Sequence, residues 1–259
     1  MMRVFVIFLC CVYFVGDAHA FQLNGGVEKQ EVYKMNTVTD KVSGNVVPNA
    51  VVSVPGEGYV THSDSSGKFE LPKNLAPPFV LAVKKDGYQP FSLTVKSYGD
   101  TPFHLSITKS SDKKIAVSAD TFHLGDNSYS DSSANAGDFR VKSSGNSYQK
   151  SFFIKQLSAG EKVLITIGSL IGVDTKEAKR LRQTKVIDAY SSPVKVLLNG
   201  KEIGHFKING DNQKISVPKT FIRQNANNTI EIIAGINQTQ NEYTDFDDFE
   251  FTNLFLEYR

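Results

Sequence analysis

Short apolar segments punctuated by Gly, Pro, Asn and Asp turns recur along this chain, and that punctuation constrains its fold more than any other feature. Segments at 46–54, 58–62, 68–71, 79–84 and 91–95 are separated by Pro55-Gly56, Asp64-Ser65-Ser66-Gly67 and Asp86-Gly87. A second series follows at 148–154, 161–168, 194–198, 201–207, 214–217, 229–234 and 249–257. Strands of this length at this spacing build antiparallel sandwiches. Asn199-Gly200, set between Val194-Lys195-Val196-Leu197-Leu198 and Lys201-Glu202-Ile203-Gly204, is the sharpest local signal, because the dipeptide suits the two positive-φ positions of a type I′ hairpin turn. The chain is predicted to be all-β, with one helix over residues 175–183 and Asp174 as its N-cap.

The closing segment, Asp247-Asp248-Phe249-Glu250-Phe251-Thr252-Asn253-Leu254-Phe255-Leu256-Glu257-Tyr258, is an acidic turn running into a strand. Phe249, Phe251, Leu254 and Leu256 carry an apolar period interrupted at Thr252-Asn253, and Phe255 breaks the two-residue alternation.

Met1 to Ala20 combines Arg3, an apolar stretch from Val4 to Val15 and an Ala18-His19-Ala20 end, the pattern of a secretory signal peptide. The expected location is secreted, or periplasmic and cell-envelope. That apolar stretch is too short to span a bilayer core of about 30 Å, and nothing later approaches ~18 consecutive apolar residues, so no transmembrane anchor is expected. Both cysteines, Cys10 and Cys11, fall inside the cleaved segment, which leaves the mature chain without disulfides or thiol chemistry. The net charge of +2 survives cleavage, since Arg3 and Asp17 cancel. That balance points to no nucleic-acid partner, and the cluster Lys176, Lys179, Arg180, Arg182 and Lys185 reads as a solvated helix face. Composition divides the chain into a signal peptide (1–20), a linker (21–30), a first sandwich (31–108), a short Ser/Lys/Asp linker (109–114) and a second sandwich (115–259).

In the first sandwich, Asn49-Ala50-Val51-Val52-Ser53-Val54, Thr61-His62-Ser63-Asp64-Ser65-Ser66-Gly67-Lys68-Phe69-Glu70-Leu71 and Lys85-Asp86-Gly87-Tyr88 resemble the carboxypeptidase regulatory-like domain. The resemblance implies a small transthyretin-like antiparallel sandwich of seven strands, an accessory module of exported enzymes, receptors and surface proteins. Asn36-Thr37-Val38 and Asn49 depart from the Gly-x-Val opening and the Gly before Ala usual in that family. The second region, through Phe122-His123-Leu124-Gly125-Asp126, Gln149-Lys150-Ser151-Phe152, Val196-Leu197-Leu198-Asn199-Gly200-Lys201, Ile215-Ser216-Val217-Pro218, Asn227-Asn228-Thr229-Ile230-Glu231-Ile232 and the Asp-Asp-Phe-Glu-Phe ending, resembles the galactose-binding-like sandwich. That implies a larger jelly roll of the kind used by many carbohydrate-binding modules.

Catalytic signatures are missing from the sequence. His62, His104, His123 and His205 stand in no His-Glu-x-x-His spacing, and Gly168-Ser169-Leu170-Ile171-Gly172 has the wrong spacing for a nucleophile elbow. Asp247 and Asp248 are neighbours that point apart in an extended segment, a poor match to the paired acids of glycoside hydrolysis. They read either as solvated turn acids or, with Asp245, as ligands of a structural Ca²⁺ ion. The galactose-binding-like resemblance nominates Asp126, Asp248 and Glu250 for that ion. For a polar ligand, the candidates are Tyr129, Asn135, Tyr190, Tyr243 and Phe246, with Asn237 and Asn241 as hydrogen-bonding partners. His123 reads as a packed strand-end histidine.

The expected function is an exported, non-catalytic protein that recognises carbohydrate through its C-terminal sandwich, with the first sandwich as spacer or docking module. The alternative is a structural or adhesion protein of the cell envelope whose partner is a cell-surface protein.

Overall fold

Two-residue alternation organises both sandwiches. The computed structural model describes residues 35–127, 139–184, 191–237 and 245–259. The first seven strands are β1 (Asn36–Asp40), β2 (Val51–Val54), β3 (Tyr59–His62), β4 (Lys68–Phe69), β5 (Phe79–Lys84), β6 (Phe91–Val95) and β7 (His104–Ile107). They form sheets ordered β4-β1-β7 and β3-β2-β5-β6. Val52 and Val54 of β2, Leu81 and Val83 of β5, and Leu105 and Ile107 of β7 meet in one core, each pair two residues apart on its strand. The Asp64–Gly67 turn is built as its sequence requires. The Asp64 carboxylate accepts from the Ser66 and Lys68 N–H groups at 2.8 Å, and Gly67 takes φ +73°. One pairing differs from the antiparallel expectation, because β1 and β7 run parallel, Thr37 opposite His104 through Asp40 opposite Ile107.

The second series comprises β8 (Lys114–Leu124), β9 (Ser147–Ile154), β10 (Val163–Ile171), β11 (Val194–Leu198), β12 (Lys201–Phe206), β13 (Gly210–Val217), β14 (Ala226–Ile233), β15 (Gly235–Asn237), β16 (Asp245–Asp247) and β17 (Phe249–Tyr258). Two antiparallel four-stranded sheets result, β13-β10-β17-β8 and β12-β11-β14-β9, with β15 paired to β16. This interleaving of early and late strands between two sheets is that of a jelly roll. The predicted hairpin joins β11 to β12, with Asn199 and Gly200 at φ 52° and 77°. The helix is shorter than expected: α1 spans Lys176–Arg180, and its N-cap is Thr175, whose hydroxyl accepts from the Ala178 N–H at 3.1 Å. Asp174 is turned elsewhere. Lys176, Lys179, Arg180 and Arg182 are solvent-exposed, and Lys185 lies outside the described residues.

The interrupted period of β17 has a structural cause. Asn253 sits at φ 61°, and the pairing of β17 with β8 slips there. Phe249, Phe251, Leu254, Leu256 and Tyr258 point into the jelly-roll core, while Phe255, also buried, points to the opposite face. That outer face is covered by the first sandwich. Ser169 on β10 lies 3.0 Å from the Ser92 hydroxyl of β6, and the Thr94 N–H and hydroxyl donate to Asp211 at 3.1 and 2.7 Å. A Cβ at Gly168 would collide with Ser92 Oγ and sit 2.9 Å from Asn253 Cβ. Residues Lys34–Arg259 accordingly form one compact unit containing two cores.

Candidate functional site

The C-terminal ends of β8, β10 and β14 and the N-terminal ends of β9, β11 and β17 share one end of the jelly roll: Leu124 pairs with Phe249, Ile171 with Glu250, and Ile233 with both Ser147 and Lys195. Connections 125–146, 172–193 and 234–248 are therefore all rooted there, and buried polar groups tie their roots together.

The first group is centred on His123, which is fully buried beside the Phe139 ring, centroids 4.6 Å apart. Its Nε2 lies 2.6 Å from Asp248 Oδ1 and its Nδ1 lies 2.5 Å from the Val141 carbonyl oxygen. Both partners present acceptors, an arrangement that favours protons on both ring nitrogens and hence the imidazolium form. Burial opposes this charge; the Asp248 hydrogen bond, the Val141 carbonyl and the charges of Asp248 and Glu250 outweigh it, so the His123 pKa is raised. Asp248 also accepts from the Asn127 N–H at 3.0 Å and the Asp126 N–H at 3.3 Å. Gly125, at φ +145°, permits this turn, since a Cβ there would collide with the Asp248 carboxylate. Glu250 accepts from the Arg140 and Val141 N–H groups, both at 2.7 Å. Burial raises the Glu250 pKa, against those two donors and the charges of His123 and Arg140. The Arg140 side chain reaches the first sandwich, donating from Nη2 to the Ala76 carbonyl at 2.9 Å and pairing through Nε with Glu57 at 2.8 Å.

The second group is built on Asp174 and Asp247. Asp174 accepts from the Thr184 hydroxyl at 2.6 Å, and the Ser191 hydroxyl donates to the Asp174 carbonyl. Asp247 accepts from the Asp174 N–H and lies within hydrogen-bond reach of the Ser191 hydroxyl. Burial, and the neighbouring charges of Asp174 and Asp248, raise the Asp247 pKa to about 8 against those two hydrogen bonds. Asp247 keeps part of its surface open to solvent, which softens the burial effect. Burial likewise raises the Asp174 pKa, opposed by Thr184 and Lys179. Ser192 adds a further tie, its N–H donating to the Ile236 carbonyl at 2.8 Å and its hydroxyl accepting from the Ile236 N–H at 2.6 Å.

Among the sequence-nominated residues, Asp248 and Glu250 are brought together as acceptors around His123. Asp126 is set apart: it is exposed, and its carboxylate accepts from the Phe246 N–H at 3.2 Å. A Ca²⁺ ion at Asp248 and Glu250 would share carboxylates that already accept from His123 and from four backbone N–H groups. Among the described residues no three His, Cys, Asp or Glu side chains form a metal-ligand group. Phe246 is half-buried and packs on the jelly-roll core. Tyr129, Asn135, Tyr190, Asn241 and Tyr243 lie outside the described residues, as does the Asn237 side chain. Sequence reasoning did not identify Arg140, Asp174, Thr184 or Ser191, because nothing local in sequence links them. For His123 a signal existed, since a histidine ending one strand faced acids beginning another.

Residues 37–110 match the family model of the carboxypeptidase regulatory-like domain. No curated protein matches the chain. Among solved structures, the chain is similar to a glycosyl hydrolase family 2 member from Bacteroides cellulosilyticus, with TM-score 0.31 and 9% identity over 56% of this chain and 20% of that one. A β-D-glucuronidase from Dictyoglomus thermophilum aligns at TM-score 0.31 and 12% identity over 58% of this chain and 28% of that one. The VP2 subviral particle of infectious bursal disease virus aligns at TM-score 0.29 and 12% identity over 82% of this chain and 52% of that one. The chain thus spans less than a third of either hydrolase and about half of the viral protein.

Proposed function

We propose that this is an exported, non-catalytic binding protein whose jelly roll recognises carbohydrate through the loops at its His123–Asp248 end. The supporting observation is the shared root: three long connections start and finish around two polar groups that fix their ends. The reading assigns ligand contact to Tyr129, Asn135, Tyr190, Tyr243 and Phe246, with Asn237 and Asn241 donating and accepting hydrogen bonds. The buried acids are scaffold in this reading. Each of Asp174, Asp247, Asp248 and Glu250 accepts hydrogen bonds that hold a loop root, and these bonds would have to be remade before any of them could serve as a catalytic acid or base. The first sandwich, docked along the outer face of β10 and β17, acts as spacer or docking module.

The test is binding of the chain to a broad glycan panel, with calcium and then with chelator. Saturable, competable binding that weakens in Tyr190→Ala and Tyr243→Ala supports the reading. Folded protein that binds no glycan would overturn it in favour of a structural or adhesion protein with protein partners.

A further inference from the structure

The seam between the two sandwiches encloses a cavity of about 150 Å³. Its floor is Ser92, Gly168 and the Phe255 ring, all buried, and exposed Lys41, Ser106, Thr108 and Asn212 stand around it. Lys114 completes the wall, its Nζ 4.0 Å from the centroid of the Phe255 ring. No Asp or Glu lines this cavity, and each polar side chain in its wall carries an N–H or O–H donor. Glu257 is the carboxylate nearest in charge to Lys114, and it is engaged by Lys214 at 2.9 Å and by Arg259 at 2.7 Å. Among the described residues neither Lys41 nor Lys114 makes an ion pair of its own. Burial lowers the Lys114 pKa; Glu257 opposes this, while Lys214, Lys41 and Arg259 add repulsion. The site is a pocket lined by donors, with two lysines and no carboxylate in its wall.

We propose that this cavity binds a compact oxyanion, with Lys41 and Lys114 supplying the charge and Ser106 and Thr108 the hydroxyl donors. A space of about 150 Å³ admits a group of roughly benzene size, so it takes an anionic head and not a whole sugar ring. The same chemistry has two sources: a free inorganic anion, or a sulfate or carboxylate substituent of a glycan entering from the exposed side. This site is independent of the loop-end reading, since Lys114 and His123 lie toward opposite ends of β8. Each lysine donates a charge-assisted hydrogen bond, and its removal is expected to weaken binding about tenfold or more.

The test uses the whole chain in titration calorimetry and thermal melts. Sodium sulfate and sodium phosphate are compared with sodium chloride at matched ionic strength, and then a sulfated oligosaccharide with its unsulfated form. The expected result is saturable binding that falls about tenfold in Lys41→Gln and in Lys114→Gln. Lys41 is exposed, so its variant keeps the experiment interpretable if Lys114→Gln folds poorly. Binding of the inorganic ions assigns a free anion; binding of the sulfated oligosaccharide alone assigns a glycan substituent. Equal stabilisation of wild type and both variants, the mark of general exclusion of kosmotropic salts, overturns the proposal, as does the absence of binding in every arm.

Discussion

His123 on β8 and Asp248, the residue just before β17, lie 2.6 Å apart, both buried, with the imidazole set between a carboxylate on one side and a carbonyl on the other, which favours its protonated form. The raised folded-state pKa of His123 means that the native state binds this proton more tightly than the unfolded chain does. Its contribution is fully present below about pH 6.5, the unfolded value, and is lost as pH rises through the folded value. Urea unfolding between pH 5 and 9 should show stability falling over that window. His123→Phe should cost about 3–5 kcal/mol at pH 6, because it strands Asp248 without its buried partner, and should flatten the high-pH decline. A variant with the wild-type pH profile would remove His123 from this role.

Asp248 and Glu250 accept from His123 and from four backbone N–H groups, which hold both carboxylates in place with protein donors. The expected outcome is the same melting temperature with calcium and with chelator. A calcium-dependent rise of several degrees that disappears in Asp248→Asn would instead place an ion at these carboxylates. The two results are separable in a single set of calorimetric scans.

Much of the fold was legible in the sequence because the strands obey two-residue alternation and the turns carry their own chemistry, as at Asp64–Gly67 and Asn199-Gly200. What was not legible depends on contacts distant in sequence. Strand β8 escaped notice because Ala119 and Asp120 face the first sandwich side of the seam, and Lys84 pairs with Asp120 at 2.9 Å, so an alternating solvent face is replaced by a mixed one. Phe255 looked like a fault in an amphipathic strand; it is the outward residue of a strand buried on both faces. The N-cap was misassigned by one residue because Asp174, the stronger capping type, is recruited by Thr184 and Asp247. The site followed the same rule: adjacent acids Asp247 and Asp248 were visible, whereas their separate partners, Ser191 with Asp174 and His123, came from other loops.

The seam between the sandwiches rests on close approach as well as on hydrogen bonds. Gly168→Ala would press a methyl group on Ser92 Oγ and on the Thr252 carbonyl oxygen, and should cost about 1–3 kcal/mol. Phe255→Ala should cost about 3–5 kcal/mol by leaving a cavity at the same seam. Leu256→Ala, one residue on, removes packing from the jelly-roll core instead, at about 2–5 kcal/mol. The distinguishing measurement is the shape of calorimetric unfolding. The seam variants should split one transition into two, as the sandwiches uncouple, while Leu256→Ala should shift the transition that belongs to the jelly roll. A single unsplit transition in both seam variants would mean that the two cores do not need this contact to unfold together.

Asp247 gives the loop end a second proton-linked group. A carboxyl whose pKa is raised to about 8 is protonated in the folded protein at neutral pH and ionised in the unfolded chain, so folding takes up a proton. By linkage, stability contributed by this group is full below the unfolded carboxylate value and is lost as pH rises toward 8. Asp247→Asn places an amide where the neutral acid stood, able to accept from the Asp174 N–H without charge, and carries no proton to lose. The variant should therefore gain on wild type from pH 5 up to about pH 8 and hold that gain to pH 9, by about 1 kcal/mol or more after allowance for the partial exposure of the residue. The His123 decline persists in this variant, which is how the two contributions are told apart: the wild-type-minus-variant difference isolates Asp247. A constant difference across the pH range would show that Asp247 is ionised in the folded protein, and that Asp174 and Ser191 hold it as an anion.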